Sequence, residues 1–149
     1  MFSTVHANGA FDVLGRFMHM GLDLYNVVSA LNGVVAQSLM RINCSHCRTP
    51  YIPPRDLLLR LGLEPGHNFA RGTGCGHCRG TGYRGRRAMA ELLLLDDDLR
   101  DLIAERAPMG RIKEAARSRG LRPLRDAALA AVCRGETTFE ELDRVTLAG

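Results

Sequence analysis

With 149 residues, 46% of them hydrophobic, the chain is long enough to bury a core, and three Tyr, five Phe and no Trp leave Leu, Ala and Val to build it. The formal charge is +4 and nineteen of the twenty basic residues are Arg; residues 1–94 carry ten Arg against five acids (+5), the remainder ten bases against eleven acids (−1). The start, Met1-Phe2-Ser3-Thr4-Val5-His6, is not a basic leader followed by an apolar stretch, and the longest uncharged run, Leu24 to Met40, is short and polar for a bilayer span, so neither secretion nor a transmembrane segment is expected.

Phe11, Leu14 and Met18, then Leu24, Val27, Val28 and Leu31, recur at helical spacing on either side of Gly21, which predicts two short helices. Val34 to Met40 is β-branched at its start, and a strand is expected over Gln37 to Ile42. Between Cys44 and Arg87 the composition turns to Pro and Gly, the mark of a loop-rich unit. One helix is expected inside it, Arg55 to Leu61, opened by Pro53-Pro54 and closed by Gly62. Ala88 to Leu95 reads as a buried strand. Asp96-Asp97-Asp98 can cap a helix carrying Leu99, Leu102 and Ile103. Ile112, Ala115 and Ala116 mark another, ended near Gly120. Leu124, Ala127, Ala128, Ala131 and Val132 mark a third, ended at Gly135. Thr138-Phe139-Glu140-Glu141 has the form of a capping box, hydroxyl and carboxylate each satisfying an amide, at the head of a fourth.

The chemistry-bearing pattern is Cys44-x₂-Cys47 and Cys75-x₂-Cys78. Two residues between cysteines let both thiolates turn toward one ion, and two such turns complete a tetrahedron at about 2.3 Å per sulfur, the arrangement of a structural Zn²⁺. Four cysteines leave no open position for catalysis. Paired disulfides and buried thiols are the alternatives. The glycines from Gly72 to Gly82 let the backbone aim amides at the sulfurs, and Arg48, Arg71, Arg79 and Arg84 could offset the site's negative charge. With four thiolates around a divalent ion the net charge falls to about +2, so a strongly nucleic-acid-binding surface is not demanded. His46 and His77 are expected to be exposed rather than ligands, and Cys133 a small core residue.

Cys75-Gly76-His77-Cys78-Arg79-Gly80-Thr81-Gly82 matches the repeat of DnaJ-type chaperones, which use several copies where this chain has one. Ser3-Thr4-Val5-His6-Ala7-Asn8-Gly9-Ala10 resembles the His box that closes a core strand in type II secretion and type IV pilus assembly ATPases. In order after it, Ser29 to Gln37, Gly80 to Arg86, Glu91-Leu92-Leu93, Gly120 to Leu124 and Gly135 to Glu141 resemble the same family, so essentially the whole chain is covered. Two departures are Ser38, where the family has Arg, and His19, where it has Asp.

That resemblance implies a mixed α/β, helix-dominated chain with three parts. Residues 1–43 would be the end of a RecA-like P-loop NTPase core, 44–87 a tetracysteine zinc subdomain, and 88–149 the last core strand and a helical subdomain. It implies a ring, hexameric in the family, on an inner-membrane secretion or pilus platform, cytoplasmic and peripheral to the membrane through those partners. His6 would sit near the γ-phosphate, in company with the family's N-terminal half or a full-length homologue. The family's Gly-x₄-Gly-Lys-Ser/Thr loop is absent from these residues, and the sole lysine, Lys113, lies in Arg111-Ile112-Lys113-Glu114. ATP and Mg²⁺ are therefore expected only in the complete parent protein, and no hydrolysis by this chain alone. In the chain alone His6 reads as a polar residue at a strand end. The rival reading is a free-standing zinc-binding interaction module, DnaJ-like or a nucleic-acid-binding ribbon using Arg84, Arg86 and Arg87; with Tyr83 the only adjacent aromatic, nucleic acid is not the expected partner.

Overall fold

A computed structural model describes residues 3–7 and 9–147, except for the side chain of Leu147, and Asn8 of the His box therefore lies outside the described residues. The chain forms α1 (Ala10–His19), α2 (Leu24–Ala30), β1 (Gly33–Asn43), β2 (Arg48–Pro50), α3 (Arg55–Leu61), β3 (Ala70–Gly72), a 3-10 turn (Gly76–Cys78), β4 (Tyr83–Leu94), α4 (Asp97–Ala104), α5 (Met109–Ser118), α6 (Leu124–Cys133) and α7 (Phe139–Leu147). It is a mixed α/β chain in which helix dominates. β1 pairs with β4; Leu95 N–H donates to Asn32 O at 3.0 Å and Cys44 N–H to Gly82 O at 2.8 Å, so the strands run antiparallel. β2 and β3 pair antiparallel, Arg48 opposite Gly72 and Pro50 opposite Ala70.

Local chemistry accounts for most of the boundaries. Gly21 at φ 69° ends the first helical stretch, and Asp23 opens the next by accepting from Tyr25 N–H at 3.1 Å. Pro54 sits at the N-cap of α3 and Gly62, at φ 64°, at its C-cap. Asp96 caps α4 by accepting from Leu99 N–H at 2.9 Å. The two long strands differ from expectation: β1 begins at Gly33 and runs to Asn43, and β4 begins at Tyr83 rather than Ala88. Pairing with a partner strand extends both through residues whose own propensity is poor, among them Gly85 and Arg86.

The chain divides into two compact units, residues 1–37 with 90–124, and residues 38–89 with 125–148. The first has a core of Ala10, Leu14, Val28, Leu93, Leu95, Leu99, Ile103, Ala107, Ile112 and Ala116; each fully buried Leu, Ile or Val contributes about 1.5–3 kcal/mol. Glu91 is buried in this unit, its two oxygens accepting from Ala10 N–H at 3.2 Å and Leu124 N–H at 3.1 Å, the first residues of α1 and α6. A carboxylate is at home there, because the N-terminus of each helix presents unpaired amides and a positive dipole end. The second unit buries Met40, Leu58, Phe69, Met89, Ala128, Val132 and Leu142, and holds all five cysteines.

Candidate metal centre

Both cysteine pairs form the same tight turn. Cys47 N–H donates to Cys44 O at 3.3 Å, and Cys78 N–H to Cys75 O at 3.2 Å. The turns face each other: Cys44 Sγ lies 3.9 Å from Cys75 Sγ, Cys47 Sγ 3.8 Å from Cys78 Sγ, and Cys75 Sγ 3.7 Å from Cys78 Sγ. All four sulfurs lie within 4.8 Å of one another. These separations are too long for disulfides, and the cysteines are free. They match the edge of about 3.8 Å of a tetrahedron whose centre is about 2.3 Å from each sulfur. The four thiols could hold a metal ion, and they present it with no open position.

The backbone supports the thiolate form unevenly. At Cys78 burial opposes ionisation, but N–H groups of Cys75 at 3.1 Å and Gly82 at 3.3 Å donate to its sulfur and outweigh that effect, bringing the thiol down to about 6. At Cys47 burial dominates and the thiol is pushed up to about 11 despite a backbone donor from Gly74. A cation between them would hold all four as thiolates. The loop that carries Cys75 and Cys78 can close at its base only because two glycines meet there: a Cβ on Gly72 would stand 1.9 Å from Gly82 O, and one on Gly82 would stand 2.6 Å from Gly72 O. β3 leads into the second turn through this contact.

His46 and His77 are exposed, and their rings stack 3.8 Å apart at 14°. Two of the arginines expected to offset the site's charge have other partners: Arg48 donates to Arg134 O at 3.3 Å and Arg71 lies 5.1 Å over the Tyr51 ring. The arginine triplet is divided, for Arg87 pairs with Glu136 while Arg84 and Arg86 are exposed on β4. Cys133, at the end of α6, is half-buried, and burial pushes its thiol up. Residues 3–7 carry neither helix nor strand, so His6 stands in irregular backbone rather than at a strand end. It is exposed, and its carbonyl accepts from Arg16 at 2.5 Å.

Two buried residues behind the centre have roles the sequence did not announce, Asn43 and Glu141. Asn43, buried next to Cys44, donates Nδ2–H to Ala70 O at 2.9 Å and to Gly135 O at 3.0 Å. Its Oδ1 is buried without a partner among the described residues. The opposite orientation of the amide would aim the oxygen at both carbonyls, which fixes the side chain as a double donor. Glu141, fully buried, does not complete the expected capping box. Thr138 Oγ1 accepts from Glu141 N–H at 3.4 Å, but the carboxylate accepts instead from Arg41 N–H at 2.8 Å and from the Arg41 and Arg144 guanidiniums. Two arginines outbid one helix-terminal amide for a buried carboxylate.

A family described as Type II/IV secretion system protein matches residues 1–144. The chain is 40% identical over 144 residues to a type IV pilus assembly ATPase of Thermus thermophilus, covering 94% of this chain and 16% of that protein. It is 36% identical over 146 residues to a type II secretion system protein E of Pseudomonas aeruginosa, covering 97% of this chain and 29% of the relative. A type II secretion system protein E of Dickeya dadantii is 37% identical over 145 residues, with 97% and 29% covered. The chain thus spans less than a third of the length of these relatives.

Proposed function

Because this chain belongs to the type II/IV secretion system protein family, we propose that it is the C-terminal portion of a hexameric ATPase that powers type II secretion or type IV pilus assembly, braced by one structural Zn²⁺. The observation that carries the reading is the tetrathiolate cage, whose sulfur separations of 3.7–3.9 Å suit a four-coordinate zinc, in a chain similar throughout to secretion and pilus ATPases. Cys44, Cys47, Cys75 and Cys78 are the ligands. When bound, the ion supplies fixed geometry and neutralised charge, and no Lewis-acid chemistry, since no coordination position is left open.

In this reading residues 1–43 belong to the end of a RecA-like core, 44–87 form the zinc subdomain, and 88–149 supply the last core strand and a helical subdomain. His6 would act near the γ-phosphate once a nucleotide is held by a P-loop, which these 149 residues do not contain. ATP and Mg²⁺ are cofactors of the parent protein. The region would help build a ring and pass nucleotide-driven motion to inner-membrane platform proteins, from the cytoplasmic side. Among the described residues no helix is long and apolar enough to cross a membrane.

Metal analysis of the purified chain should find close to one zinc per molecule, and phosphate release with Mg-ATP should stay at background. A metal-free yet fully folded chain would overturn the zinc brace. ATP turnover that tracks the protein through further purification would overturn the assignment of hydrolysis to other residues.

A further inference from the structure

Two residues at the end of β1, Arg41 and Asn43, bond to the segment that connects α6 and α7, right beside the first metal-ligand turn. We propose that Asn43 couples the metal centre to this connection, so that an ion held by the four cysteines orders residues 133–142 as well as its own two turns.

The bonds run in both directions along the chain. Arg41 N–H donates to Glu141 at 2.8 Å, and Arg41 O accepts from Thr137 Oγ1 at 2.7 Å. Asn43 N–H donates to Glu136 O at 2.8 Å, and its side-chain amide donates to Gly135 O at 3.0 Å. The 135–141 segment therefore takes up donors and acceptors at the end of β1 that a neighbouring strand would otherwise use. The residue after Asn43 is the ligand Cys44.

The second cysteine pair is tied to the same place. Asn68 N–H donates to Cys133 O at 3.0 Å, and Asn43 Nδ2–H reaches Ala70 O at 2.9 Å. Ala70 opens β3, which leads through Gly72 to Cys75. At the centre of this meeting is Gly135, at φ 67°, where an added Cβ would stand 2.2 Å from Asn68 O. Arg48, one residue past Cys47, donates to Arg134 O at 3.3 Å. The first cysteine pair is thus flanked on both sides by bonds to the α6–α7 connection, and the Asn43 side chain joins that connection, at Gly135, to β3, at Ala70.

Without the ion, nothing covalent holds the two turns together, for the sulfurs form no disulfide. Release of Cys44 frees Asn43, and with it the donors that hold Gly135 and Glu136. Conversely, Asn43 held between Ala70 and Gly135 keeps Cys44 aimed at the other three sulfurs, the outer-sphere role that typically costs about 10–100-fold in metal affinity when removed.

This inference rests on the metal reading above, and zinc content, measured first, separates the two: a chain that takes up no Zn²⁺ overturns both, whereas the steps below address the coupling alone. Hydrogen exchange read by mass spectrometry on the zinc-loaded chain and on the same chain after chelation should show exchange speeding by about tenfold or more in peptides covering 131–142 as well as in the two turns. Peptides covering α4 and α5 should change little. Acceleration confined to residues 44–47 and 75–82, or spread evenly over the whole chain, would overturn the coupling. Asn43→Asp preserves size but places a carboxylate against two carbonyls. The zinc-loaded variant should exchange rapidly at 131–142 and surrender zinc to a chromophoric chelator about tenfold more readily; wild-type protection together with wild-type zinc retention would refute the role of Asn43. Should this variant fail to fold, the comparison of the wild-type chain with and without zinc decides.

Discussion

Replacing Glu141 by Gln tests how the second unit holds α7 against β1. Burial alone would raise this carboxyl, but hydrogen bonds from the Arg144 and Arg41 guanidiniums and from Arg41 N–H outweigh it and bring the group from 4.5 down to about 2. Since the folded value lies below the unfolded one, the carboxylate stabilises the fold fully above pH 4.5, and that contribution is lost as pH falls toward 2. The gap corresponds to about 3 kcal/mol. The partners, Arg41 and Arg144, are 47% and 46% exposed, so solvent screening reduces the expected loss to about 2 kcal/mol at neutral pH. Urea denaturation of wild type and E141Q at a series of pH values gives the measurement. The difference between the two proteins should be largest and flat above pH 4.5 and shrink toward zero near pH 2; proton uptake by the cysteines is common to both and cancels. A difference below about 0.5 kcal/mol at pH 7, within the range of an ordinary surface substitution, or one that persists unchanged at pH 2, would refute the ion-pair account.

Gly72→Ala places a Cβ 1.9 Å from Gly82 O and should cost about 2 kcal/mol and lower zinc content, whereas Gly76→Ala meets nothing within 4 Å and should leave thermal melting unchanged. Cys44→Ser should abolish stoichiometric zinc by metal analysis, while Cys133→Ser, outside the four-sulfur cluster, should retain it. Glu91→Gln offers one acceptor in place of two, so hydrogen exchange should rise at Ala10 or Leu124 with a loss of about 1–2 kcal/mol; protection intact at both would contradict the double helix anchor. Met20 and Tyr25 are 67% and 72% exposed, and self-association through residues 1–43 is expected; a single monomeric species at all concentrations in sedimentation would speak against it.

What the amino-acid sequence determined by itself is local. Cys-x₂-Cys spacing sets two sulfurs on one turn whatever surrounds it, so the four candidate ligands were legible, and the structure brings their sulfurs within 4.8 Å of one another. Pro54 and Gly62 bound α3 and Asp96 starts α4 because capping involves only near neighbours in the chain. The tertiary structure alone decided the rest. β4 extends back to Tyr83 through Gly85 and Arg86 because a strand partner supplies bonds that composition does not announce. Glu141 left its capping box for Arg41, 100 residues away, since a buried carboxylate is held more strongly by guanidiniums than by one amide. Asn43 carried no signal of its own, for any of twenty residues can precede a cysteine ligand. Its value comes from two carbonyls, at Ala70 and Gly135, that only the folded chain places within reach of one amide group.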